Sequence, residues 1–97
     1  MRVVLRPEAE ADVSAAFRYY HEGDPDLATR FVEELDRLLG RLEEFPRSAQ
    51  QVMGYDSVRR ALVRGFPFAV FYLDSDEQIV VLRIMHTARH PESWPAP

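Results

Sequence analysis

The sequence predicts an α+β fold: a short N-terminal strand, then an antiparallel helical hairpin, then a three-stranded antiparallel meander. Two observations carry this expectation. Residues 7–45 hold two apolar stripes at helical spacing, divided by a Gly-Asp-Pro break. Residues 57–86 hold three β-rich runs joined by short connections, and short connections impose antiparallel pairing. With 97 residues there is room for one core, so residues 1–97 are read as a single domain.

The first strand is Arg2 to Leu5, a brief polar–apolar alternation. Pro7 suits the first position of a helix, where its missing N–H costs nothing. Val13, Ala16, Phe17 and Tyr20 then fall at i, i+3, i+4 and i+7, with Glu8, Glu10 and Asp12 in the early turns that the helix dipole favours. Gly23 ends this helix. Asp24 serves as N-cap and Pro25 as N1 of a second one. Leu27, Phe31, Leu35, Leu38, Leu42 and Phe45 lie along its apolar stripe, and Pro46 closes it. Residues 47–56 lack periodicity and read as a loop. Strands are expected at Ser57–Val63, at Phe66–Leu73 after Arg64-Gly65, and at Gln78–His86 after an acidic turn. The tail from His90 to Pro97 carries three prolines and should be irregular.

The strands raise a problem of coverage. Phe66, Phe68, Val70 and Tyr72 should face one way, and Ala69, Phe71 and Leu73 the other. Ile79, Val81 and Met85 should likewise oppose Val80, Leu82 and Ile84. A sheet with one wet face alternates polar and apolar residues, and these strands do not. One helical layer covers one face. The other needs the tail with Trp94, a second copy or another protein, and left bare it would promote self-association.

Composition narrows the chemistry. There is no Cys, which excludes disulfides, zinc thiolate sites and thiol nucleophiles. All twelve basic residues are Arg, so lysine bases and Schiff bases are excluded as well. Net charge is −4 but uneven: residues 1–46 carry eleven acids against six Arg, and residues 47–97 six Arg against five acids. That is a weak footprint for nucleic acid, and no direct DNA binding by this chain is expected. No signal peptide is visible, and the longest apolar run, Phe66 to Leu73, is too short to span a bilayer. A cytoplasmic protein without membrane attachment is expected. Phosphate-binding glycine motifs are absent; His86 and His90, with Glu92, straddle a strand end and a Pro-rich turn where helical i, i+4 ligand geometry is not expected, and no cofactor or metal is expected.

Residues 59–94 read RRALVRGFPFAVFYLDSDEQIVVLRIMHTARHPESW. This stretch resembles the signature region of the RelE/ParE toxins. Arg59-Arg60, Phe66-Pro67-Phe68, Phe71-Tyr72, Ile79 to Leu82, His86, Arg89 and Trp94 occupy the family's places in order. Leu5-Arg6-Pro7 through Asp12, and the hairpin end Glu44-Phe45-Pro46, extend the likeness over nearly the whole chain. The resemblance implies the toxin of a type II toxin–antitoxin module, neutralised by a cognate antitoxin that brings its own DNA-binding domain. It implies a homodimer or a toxin–antitoxin hetero-oligomer.

Two activities divide that family. ParE-like members inhibit DNA gyrase by protein–protein contact. RelE-like members cleave mRNA on the ribosome, and a non-toxic degenerate member is a third reading. RNA cleavage without a metal needs a base, an acid and cations on the phosphate. The residues offering this are Arg60, Arg64, Arg83, His86 and Arg89, with His86 as acid or base and Arg83 and Arg89 as phosphate forks. Against it stand the absence of Lys and of any Tyr after His86, so the ParE-like reading leads. Arg59, Phe68, Phe71, Tyr72, Arg83 and Trp94 are the candidate partner-binding residues. Arg59 and Arg60 should point to opposite sheet faces.

Overall fold

The computed structural model describes residues 2–88. Its elements are β1 (Arg2–Leu5), α1 (Pro7–Gly23), α2 (Pro25–Glu44), β2 (Gln50–Val52), β3 (Tyr55–Leu62), β4 (Phe68–Asp74) and β5 (Gln78–His86). The α+β arrangement is the one expected, but the sheet is larger than a three-stranded meander. It has five strands in the order β1-β5-β4-β3-β2. Strands β2 to β5 are antiparallel neighbours, while β1 returns to the far side and pairs parallel with β5.

Both helices start where local chemistry directs. Pro7 opens α1 and Pro25 opens α2, and the Asp24 carboxylate accepts from the Asp26 N–H at 3.0 Å. Four large or branched core side chains of α2, Phe31, Leu35, Leu38 and Leu42, turn towards the sheet. They meet Phe68, Val70 and Tyr72 of β4 and Ile79, Val81 and Ile84 of β5 in one buried cluster. Burying each side chain of this size contributes ~1.5–3 kcal/mol. Tyr20, Phe31, Phe66 and Phe68 add mutual aromatic contacts with ring centroids 5.2–6.2 Å apart.

Three local expectations need correction. Residues 47–56 are not all loop: Gln50–Val52 forms edge strand β2, hydrogen-bonded to β3 and joined to it through Gly54 at φ 86°. Second, β4 begins at Phe68, because Val63, Gly65 (φ 81°) and Phe66 are spent on the turn: the Phe66 N–H donates to the Val63 carbonyl. Third, the alternation in β5 breaks. Tyr72 pairs with Val81 but Phe71 pairs with Arg83, so Leu82 is an extra residue. The bulge moves Ile84 into the helix-facing core beside Ile79 and Val81, and puts Met85 with Leu82 on the other face.

That other face is apolar, as the sequence required. Val58, Ala69 and Phe71 form a second buried cluster, edged by Val52, Leu73, Leu82 and Met85. Among the described residues, no helix is long and apolar enough to cross a membrane.

Candidate functional site

The described candidate residues fall into five places. Phe68 and Tyr72 lie inside the helix-facing core, Tyr72 with no exposed surface at all. Their visible work is core burial. The Tyr72 hydroxyl donates to the Pro46 carbonyl at 2.8 Å and ties the end of the hairpin to the sheet. Burial raises the Tyr72 pKa above its ordinary value, while nearby Arg59 opposes the rise.

Arg59 stands opposite Tyr72 on the same face of the sheet. Its Nε donates to Asp74 at 3.2 Å, and its Nη1 donates to the carbonyls of Ala49 at 2.6 Å and Arg47 at 3.3 Å. Arg47 joins the same carboxylate at 3.3 Å. The guanidinium therefore stitches the α2–β2 connection to the end of β4.

Arg60 faces the other way, as period two dictates. It pairs across β3–β4 with Phe71, and Phe71 pairs across β4–β5 with Arg83. The two arginines thus flank Phe71, about 10 Å apart at two strand spacings. Arg60 is half-buried, and its side chain makes no hydrogen bond or ion pair among the described residues. Arg64 sits exposed in the β3–β4 turn, away from this row.

Arg83 is held from α1. Its Nε and Nη2 donate to the two Asp12 carboxylate oxygens at 2.8 and 3.0 Å, a two-pronged pair. The same carboxylate accepts the Ile84 backbone N–H at 2.9 Å. Strand β1 stops at Leu5 opposite Val81, so the edge of β5 beyond it lacks a strand neighbour there. Asp12 fills that place. The hydrogen bond to Asp12 raises the Arg83 pKa against the opposing effect of burial.

His86 ends β5 with its ring edge-on to Phe68 at 5.2 Å, and its Nδ1 accepts from the Ala88 N–H at 3.2 Å. Asp12, Tyr19, Phe68, Arg83 and His86 together line a cleft of about 210 Å³ between α1 and the end of β5. Arg83 and His86 are thus brought together, whereas Arg60 and Arg64 are placed elsewhere. Arg89 and Trp94, with His90 and Glu92, lie outside the described residues. Among the described residues, no three His, Asp or Glu side chains are grouped to hold a metal ion.

Asp12 and Asp74 are the site residues that sequence reasoning missed. An arginine interrupting an apolar strand signals a need for a carboxylate. The spacing did not say which of sixteen acids would supply it.

Comparison with known proteins gives a family from one match and a fold from another. The model described as "ParE toxin of type II toxin-antitoxin system, parDE" matches residues 3–91. Among solved structures, "Chromosomal ParDE TA system from P. aeruginosa" superposes with a TM-score of 0.76 and 22% sequence identity. The superposition covers 89% of this chain and 95% of that one, and at this identity it speaks to the fold. The search of curated proteins gave no match.

Proposed function

This chain belongs to the ParE toxin family of type II toxin–antitoxin systems, and from that premise we propose that it arrests growth by binding DNA gyrase and is held inactive by a cognate antitoxin. The observation that carries the proposal is the family match over residues 3–91. The arrangement of the arginines supports contact over catalysis. Among the described residues, Arg83, the arginine that shares the cleft with His86, is already paired two-pronged with Asp12. Arg60 stands on the far side of Phe71 from the His86 cleft. No Lys is present and no Tyr follows His86.

The antitoxin would meet the partly exposed margin of the second sheet face, with Arg60, Leu82 and Met85 as contact residues beside the buried Phe71 and a toxin–antitoxin hetero-oligomer as the resting form. Its setting would be the cytoplasm, where stable inheritance of the encoding replicon is a natural role for such a pair.

Induced expression in a bacterial host tests this. The expected outcome is growth arrest with continuing bulk protein synthesis, relieved by the product of the neighbouring gene and unchanged in His86→Ala. Prompt translational arrest that disappears in His86→Ala would instead support the ribosome-dependent nuclease reading.

A further inference from the structure

Strand β3 outruns its neighbour. It starts at Tyr55, but its register with β4 starts only at Val58, opposite Leu73. Residues 55–57 and the end of β2 therefore project past β4 as a two-stranded ribbon, by ~10 Å at the usual strand rise. Val52 pairs with Tyr55, so Met53 and Gly54 form the tip, and Gly54 at φ 86° closes the turn. The ribbon is braced across its strands, where the Gln51 side-chain amide donates to the Asp56 carbonyl at 2.9 Å. Met53 is 95% exposed, more than any other large hydrophobic side chain among the described residues, and Tyr55 close by is 38% exposed.

The core gains almost nothing from a side chain so exposed, and the turn itself needs only Gly54. A narrow projecting loop complements a concave surface better than a flat one. An unbranched thioether adapts to irregular apolar pockets, and buried anchors of this kind carry most of the energy of a protein contact. We propose that the β2–β3 tip is the anchor on DNA gyrase: Met53 enters an apolar pocket of the enzyme and Tyr55 meets its rim. This assignment rests on the proposed gyrase contact and adds where on the chain it is made. Arg60, Leu82 and Met85, offered above to the antitoxin, lie within the paired part of the sheet and not on the overhang, so the two contacts can be separated by substitution.

The test uses the full chain and purified DNA gyrase. Met53→Ser alters an exposed side chain and should leave the melting temperature unchanged, yet raise the concentration that half-inhibits supercoiling about ten-fold or more. Met53→Leu, which keeps an apolar side chain of similar size, should stay within roughly three-fold of the wild type. The chain has no Cys, so Met53→Cys can carry a thiol-linked photo-crosslinker at the tip alone. It should crosslink to gyrase, whereas Arg64→Cys, in the exposed turn at the opposite end of β3, should not. Undiminished inhibition by Met53→Ser, or crosslinking from position 64 and not from position 53, would overturn the assignment and leave the gyrase reading standing. A wild-type chain that leaves supercoiling untouched would overturn both.

Discussion

Asp12 and Arg83 are 71 positions apart, yet the carboxylate grips the guanidinium with two hydrogen bonds of 2.8 and 3.0 Å and caps the adjacent Ile84 N–H. The contact fixes the first turns of α1 against the bulged end of β5, where β1 no longer reaches. Asp12→Ala leaves a peptide N–H and a guanidinium without their acceptor. Its expected cost is about 1–3 kcal/mol, read from urea or thermal unfolding. The pair Asp12→Ala and Arg83→Met should cost less than the sum of the singles, because the second change removes the stranded charge. Strict additivity would deny the coupling.

Tyr72 gives a pH dependence. Its hydroxyl is buried, and burial raises its pKa above the ordinary 10.0. A raised acid pKa means that the folded state holds the proton more tightly. The associated stability is complete below pH 10.0 and is lost as pH climbs through the folded-state value. Tyr72→Phe should therefore cost about 1 kcal/mol at neutral pH, from the lost bond to Pro46, and should flatten the alkaline fall. Identical alkaline slopes in the two proteins would contradict this.

Arg59 is expected to act as a clasp. Arg59→Ala should destabilise the protein by about 1–3 kcal/mol and expose residues 45–50 to proteolysis before global unfolding. Cleavage sites and rates matching the wild type would show that the connection is held by other means.

Gly65 adopts φ 81°, a conformation that side chains resist. Gly65→Ala should cost about 1 kcal/mol through backbone strain alone, since nothing lies within 4 Å of an added Cβ. Calorimetry would detect this as a drop of several degrees in melting temperature.

The legible parts of the fold are those whose signal is local. The stripe from Leu27 to Leu42, the Asp24-Pro25 restart and the doubly apolar strand from Phe68 to Leu73 each declare themselves within a few turns or residues. Gln50–Val52 did not, because a three-residue edge strand with two Gln shows no apolar alternation, and its pairing with Arg59 and Arg60 is decided by the neighbour. The bulge at Leu82 was equally silent: Ile84 and Met85 are both good strand residues, and only the facing helices select Ile84 for the core. Among the candidate site residues, the opposite orientation of Arg59 and Arg60 followed from period two alone. The carboxylate partners of Arg59 and Arg83 did not, because Asp74 and Asp12 are brought in by tertiary structure.

The most direct measurement of the central claim is a paired assay on the purified chain, following supercoiling by DNA gyrase and translation-coupled mRNA cleavage side by side. The account predicts that supercoiling is inhibited, that mRNA stays intact, and that His86→Ala changes neither result. Cleaved mRNA with unimpeded supercoiling would contradict it, and would turn attention to His86 and Arg83 as reacting groups.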